Sequence, residues 1–328
     1  MKAFWKEFCL AGALGLVMPG LLLGAAVAFY REPAAAPDEI QPDGTVPIPV
    51  AASGSYHPQI PILGKDGAVH NMELDDYLTG VVLAEMPASF EPEALKAQAV
   101  VARTYTVRAY RGKYRHDGAA VCTDSTCCQG YLSETDYLSR GGSEAGIDKI
   151  RQAVLDTSGY VLTYQGELIE ATYFSCSGGS TEDAVAVWGT DVPYLRATDS
   201  PGEENAAHYT DTITFTPAEF AHALSLELTG NPAGWLGKVT YTAGGGVDTM
   251  EIGGISFKGT ALRKILNLRS TAFTMSAGEN GITVTTKGYG HRVGMSQYGA
   301  DAMAVAGSSF AEILAHYYRG TTLECLTD

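Results

Sequence analysis

A pair of prolines sets the frame of this chain, one in Glu85-Met86-Pro87 and the other in Phe90-Glu91-Pro92. Proline disfavours helical geometry in the residue before it and suits the first turn of a helix. Residues 77–105 therefore read as one helix that stops at Glu85 and a second that starts at Pro92. Their expected spans are roughly 75–85 and 92–111, the second closed by Gly112. Glu85 then lies at the negative end of its helix among Val81, Val82, Leu83 and Met86, and both influences oppose ionisation. Such a carboxyl group can keep a proton near neutral pH and serve as an acid. A solvated helix-end glutamate is the plainer reading of the same residues. In the second helix Ala94, Leu95, Gln98, Val101, Ala102 and Tyr105 recur at helical spacing and mark a closely packed face. Arg103 beside them reads as a core-edge ion-pair partner before it reads as a ligand.

Upstream, Cys9 to Tyr30 is a run of 22 residues without a charge, preceded by Lys2 and Lys6. That length crosses a bilayer, and the flanking lysines keep the N-terminus in the cytoplasm. A retained single-pass anchor is expected, with Ala26-Val27-Ala28 as the competing signal-peptidase site. Residues 32–55, rich in Pro and Ala among Asp and Glu, read as a flexible stalk. Everything after Arg31 is then extracytoplasmic. A formal net charge of -15 excludes a nucleic-acid binder, since phosphate contacts need a basic surface.

Beyond a hairpin expected around Gly64-Lys65-Asp66-Gly67 and the two helices comes a cysteine-rich loop. His116, Cys122 and Cys128 are evenly spaced there and lead into Gln129-Gly130-Tyr131. One imidazole and two thiolates make a zinc set that wants a fourth ligand or a water. The rival is a disulfide, 122–127 or 122–128, which an oxidising compartment would allow. An amphipathic helix is expected over 144–156, then a hairpin of 159–164 with 168–174 around Gln165-Gly166. Its second strand runs into Ser175-Cys176-Ser177-Gly178-Gly179-Ser180-Thr181, a polar turn where backbone can approach a ligand. Trp188 and Tyr194 follow, aromatic residues of a kind that suits sugar faces and also ordinary cores. Residues 210–286 change character and read as a small α+β subdomain without catalytic groups. The final informative stretch is Gly290-His291-Arg292-Val293-Gly294-Met295-Ser296-Gln297-Tyr298-Gly299, with a helix starting near Ser296. A thiol pair of Cys176 with His291 is a weaker reading, lacking an orienting Asn or Asp.

These stretches resemble the stage II sporulation protein D family. The resemblance rests on Tyr77-Leu-x-Gly80-Val-Val-x-x-Glu85-Met-Pro87 and on Glu93-Ala-Leu-Lys-Ala-Gln98-Ala-Val-x-Ala-Arg103-Thr-Tyr105. Ser177-Gly-Gly-x-Thr181 and Gly290-His291-x-Val-Gly294-Met-Ser-Gln297-Tyr298-Gly299 follow in the same order, so that most of residues 56–325 is spanned. Arg292 departs from the pattern, since a glycine is expected there. The resemblance implies an α+β, two-lobed extracytoplasmic domain with a central cleft behind an N-terminal transmembrane helix. Its parts would be an anchor (1–31), a stalk (32–55), a catalytic lobe (56–209), the small subdomain (210–286) and a C-terminal piece completing the lobe (287–328). It implies a peptidoglycan lytic transglycosylase that acts during engulfment, in the space between mother cell and forespore, on strands stripped of stem peptides. Glu85 would be the catalytic acid and then base, and no cofactor is required for that chemistry. Ser175, Ser177, His291, Ser296, Gln297, Tyr298, Arg103 and Tyr131 are the candidate sugar ligands, with His116, Cys122 and Cys128 as a structural zinc set. Partners implied are the glycan strands, the membrane, a cell-wall amidase and other engulfment proteins. A glycan-binding scaffold that enhances an amidase is the alternative.

Overall fold

The computed structural model describes residues 56–207, 209–278 and 281–326. The expected membrane run at 9–30 and the stalk at 32–55 lie outside them. Among the described residues no helix is long and apolar enough to cross a membrane.

Strands β1 (Gln59–Leu63) and β2 (Val69–Glu73) form the expected antiparallel hairpin. Helix α1 (Leu74–Glu85) starts at once, its first turn capped by the Glu73 carboxylate, which accepts from the Asp76 N–H. It ends where Met86 turns extended ahead of Pro87. Helix α2 (Pro92–Arg111) opens on its proline and closes at Gly112. Its alanines, Ala94, Ala97, Ala99 and Ala102, are fully buried. Small side chains on every side let neighbours approach closely, which makes α2 the axis of the main core. Around it pack α1, strand β3 (Val121–Cys122), helices α3 (Glu134–Ser139) and α4 (Glu144–Asp156), and strands β4 (Tyr160–Tyr164) and β5 (Glu167–Leu168), with β3 touching α2 and α3 touching α1.

The hairpin expected over 159–174 is shorter than its sequence suggests. β5 stops at Leu168, and the chain turns so that Glu170 pairs with Arg108 and Arg115 while Ile169 and Ala171 enter the core. The next strand, β6 (Tyr173–Phe174), pairs instead in parallel with residues 295 and 296. The pull of the two arginines on Glu170 breaks the alternation a longer strand would need.

After α5 (Ala184–Trp188) the chain builds a second, separate core. β7 (Thr210–Phe215), α6 (Pro217–Leu224), β8 (Leu236–Tyr241), β9 (Val247–Ile252), β10 (Ile255–Lys258), α7 (Gly259–Ile265), β11 (Phe273–Gly278) and β12 (Gly281–Lys287) make two three-stranded antiparallel sheets. Phe220, Trp235, Met250, Leu262, Phe273 and Val284 fill the space between them. The chain then returns to the first core through β13 (Met295–Ser296), α8 (Gln297–Val305), α9 (Phe310–Tyr317) and β14 (Thr322–Cys325). β14, which no sequence pattern announces, pairs with β4. The return is fastened to the start of α2: Asp301 accepts from the Glu91 N–H at 2.7 Å and Glu93 accepts from the Phe310 N–H at 2.8 Å. The whole is a mixed α+β fold of several small sheets, as the sequence led one to expect at that level.

Candidate active site

Glu85 ends α1 half-buried, with two pockets meeting at its carboxyl group. One, of about 770 Å³, is walled by Lys65, Ser125, Tyr131, Arg140 and the cysteine loop. The other, of about 260 Å³, runs past Tyr173, Phe174 and Ser175 to Tyr289 and His291. Glu85 and Ser125 line both.

Burial pushes the Glu85 carboxyl above the usual carboxylate range, against hydrogen bonds that favour its ionised form. The Gly130 N–H donates to Oε1 at 2.8 Å and Gln297 Nε2 approaches Oε2 at 3.5 Å. The Tyr173 phenol favours the ionised form as well. That phenol is kept protonated by its own burial and by the Glu85 charge. Asp124, the second carboxylate in the larger pocket, is held below its ordinary range by hydrogen bonds from Thr126. The pocket thus has one carboxyl group biased towards its acid form and one biased towards its anion.

Why Gly130 reaches Glu85 is a matter of close approach. Tyr131 stacks on Tyr77 of α1 with ring centres 5.8 Å apart, and the Leu132 N–H donates to the Gly80 carbonyl. A Cβ on Gly80 would stand 2.2 Å from the Tyr131 ring, and one on Gly130 would stand 2.8 Å from Glu85 Oε1. Both positions need glycine for space. Gln129, fully buried, donates to Thr106 and accepts from the Tyr173 hydroxyl, tying the loop to α2 and to β6.

Directly before this loop the structure gathers four metal-ligating residues, one more than the sequence spacing singled out. Ligand atoms of His116, Cys122, Cys127 and Cys128 all lie within 4.8 Å of one another. Pairing of β3 with β1 sets Leu63 opposite Cys122. The N–H groups of Cys127 and Cys128 share the Asp124 carbonyl, and a tight turn at Gly118 brings His116 within 3.3 Å of the Cys128 sulfur. The five described cysteines are free thiols, so neither candidate disulfide is formed. Three thiols and an imidazole at this spacing fit a tetrahedral ion, whose ligand-to-ligand edges are about 3.8 Å for zinc–sulfur bonds. Cys127 escapes the spacing because adjacent cysteines look redundant in sequence; the turn at Asp124 brings both sulfurs to the cluster, Cys127 on its exposed side.

The C-terminal glycine loop shows an alternation of its own. Gly288, Gly290, Arg292 and Gly294 all have positive φ, Arg292 at 66°. The expected glycine at 292 matches that geometry, and an arginine occupies it at the cost of backbone strain. Its buried guanidinium gives Nε to the Ser177 carbonyl, Nη1 to Glu182, and Nη2 to the carbonyls of Ser180 and Gly244. Glu182 in turn accepts from Gly246 and Thr242. Arg292 is therefore a staple between the glycine turn, the His291 loop and the β8–β9 connection. His291 itself faces the smaller pocket. Its Nδ1 accepts from the Val293 N–H at 3.1 Å, and burial, helped by the Arg263 charge, lowers its pKa to about 4.

The candidate ligands separate into two groups. Tyr131, Ser175, His291 and Gln297 border the pockets or touch Glu85. Tyr298 packs edge-on against Phe90, and its N–H donates to the Ser175 carbonyl. Ser177, Ser296 and Arg103 lie inside the framework, fully buried and away from the lining of both pockets. Ser177 is fully buried and bonded to the buried Glu203, which also accepts from Cys176 and Ser200. Burial, then the Glu203 charge, pushes the Cys176 thiol up to about 12, which disfavours a thiolate there. Ser296 is buried as the N-cap of α8. Arg103 is fully buried, paired to Asp75 at 3.0 Å and donating to the carbonyls of Val154 and Thr157 at the end of α4.

The site is thus a carboxyl group of raised pKa at the junction of two pockets on an α+β frame. Residues 64–164 match the stage II sporulation protein family. Stage II sporulation protein D of Bacillus subtilis is 38% identical over 98% of this chain and 96% of its own length. The same-named protein of Bacillus amyloliquefaciens is 41% identical over 78% of this chain and 75% of its own. The chain belongs to the stage II sporulation protein D family. An amidase enhancer of Bacillus subtilis is also similar, 32% identical over 75% of this chain and 40% of its own length.

Proposed function

We propose that this protein is a lytic transglycosylase of peptidoglycan, cleaving the bond between N-acetylmuramic acid and N-acetylglucosamine during sporulation. The observation that carries this reading is the raised, half-buried carboxyl of Glu85 where the two pockets meet. As acid, Glu85 gives its proton to the departing glycosidic oxygen. The substrate's 2-acetamido group stabilises the cationic centre, so no second carboxylate is needed. As base, the Glu85 carboxylate takes the proton of the sugar's own 6-hydroxyl, whose oxygen closes on C1 to give a 1,6-anhydro end. No water enters. The Gly130 N–H and Gln297 steady the anion between the two steps, so the group can alternate.

A zinc ion held by His116, Cys122, Cys127 and Cys128 would close its shell with four protein ligands, the mark of a structural site. Its task here is to fix the loop whose next residues present Gly130 and Tyr131. The protein works outside the cytoplasm, anchored by residues 9–30, with the cleft between two lobes. Strands stripped of stem peptides are its preferred substrate, and an amidase that strips them is the expected partner. The similarity to an amidase enhancer supports one second reading, a silent glycan scaffold.

Digestion of purified stripped strands by the full chain, with mass analysis of the ends, separates these readings. Anhydro-muramyl ends that vanish in Glu85→Gln are expected. Strands left intact would leave the scaffold reading. Ordinary reducing ends, lost in Asp124→Asn, would show a two-carboxylate hydrolase instead.

A further inference from the structure

The smaller pocket has an outer end that the proposed chemistry does not use. Phe174, His291 and Trp188 form a run of rings leading away from it. The His291 ring centre is 5.6 Å from that of Phe174 and 5.4 Å from that of Trp188. The inner members line the pocket that contains Glu85, whereas Trp188 is 44% exposed. Tyr289, two residues before His291 and on the same pocket wall, is also 44% exposed. Large aromatic residues left this open next to a cleft point to a ligand that covers them.

Trp188 is held in place. It is the last residue of α5, and the chain leaves it through Gly189 at a φ of 76°, whose N–H donates to the Val185 carbonyl. Val187, its neighbour, packs on the main core, and the Asp183 carboxylate ahead of the helix accepts from the Ala197 N–H. A fixed indole loses little freedom on binding, which favours its use as a contact surface. His291 behind it has its pKa lowered to about 4 by burial, with the Arg263 charge, which favours the neutral ring, while the Arg269 guanidinium lies 5.6 Å from the Tyr289 ring centre.

We infer that Trp188 is a stacking platform for a pyranose ring of the glycan strand, one subsite outward from the cleavage point on the His291 side. The occupant follows from chemistry and continuity. A β-linked pyranose has an apolar face of axial C–H groups and a polar rim, which suits an amphipathic ring that is half open to water. The platform also continues the wall of the pocket that holds Glu85. It rests on the reading of that cleft as a glycan site, and it adds which side chains grip the strand beyond the reacting pair.

The test uses the full chain carrying Glu85→Gln and soluble stripped GlcNAc–MurNAc oligosaccharides. Of the three tryptophans, Trp235 is buried in the second core. A change in tryptophan fluorescence on adding the oligosaccharide, abolished by Trp188→Phe and kept by Trp235→Phe, is expected. In calorimetry Trp188→Ala weakens binding about tenfold, and Trp188→Phe recovers most of it. In the protein with Glu85 intact, the Trp188→Ala loss appears in KM, not in kcat. Unchanged affinity and KM in Trp188→Ala, with anhydro ends still formed, would overturn the platform and leave the transglycosylase reading standing. Trp188-dependent binding without any anhydro product would do the reverse.

Discussion

At Glu85 burial and hydrogen bonding pull in opposite directions, and burial wins. In the unfolded chain this carboxyl ionises in the ordinary range, whereas in the folded protein it holds its proton to higher pH. The folded state therefore binds more protons in that window, and stability falls as pH rises through it. Glu85→Gln removes the loss. At pH 7 the variant should melt about 2 °C higher or more, with no difference near pH 4, measured by calorimetry. The acid step has the same sign: strand cleavage should decline as pH rises through the raised pKa. Gly130→Ala places a methyl 2.8 Å from Oε1, and a shift of the carboxyl of this size should cost about 100-fold in cleavage with the melting temperature little changed. Glu85 was legible because prolines and helix ends act locally. Gly130 was not, because its contribution is a backbone N–H whose aim depends on Tyr131 stacking on α1.

Among the elements, α2 and α4 are joined by a charge in the core. Arg103 caps the carbonyls at the end of α4 and neutralises Asp75, which also accepts from Ser158. Arg103→Met leaves the buried Asp75 with only Ser158 and the half-exposed His57 beside it, and denaturant unfolding should show a loss of about 3 kcal/mol. The glycine loop gives a sharper case. Arg292→Gly restores the residue its backbone prefers and relieves strain of about 1 kcal/mol. It also strips Glu182 of its partner, so the net effect should be destabilisation by about 2–4 kcal/mol in the same measurement. Helical periodicity disclosed both long helices almost to the residue. The β6–β13 pairing stayed hidden, since each strand contributes two residues and the partners are far apart in sequence.

Among the described residues the buried apolar side chains divide between two cores, with the sheets of β7 to β12 forming the second. That stretch could be recognised from a change in pattern, while its attachment through Arg292, Glu182 and the Gly244–Gly246 turn could not. Chelating the zinc proposed for His116 and the three cysteines should speed amide exchange at residues 116–132 and leave the sheets of the second core as they were. The fastening of residues 91 and 93 to 301 and 310 has a consequence for synthesis. The ribosome completes α1 and α2 long before it makes the segment that supplies Gln297 and covers the start of α2. Contacts of such long range form late, so a nascent chain carries its acid residue without the surroundings that set its proton affinity. If the proposed activity holds, a wall-cutting centre assembled in this order would stay inert until residues 297–310 have emerged.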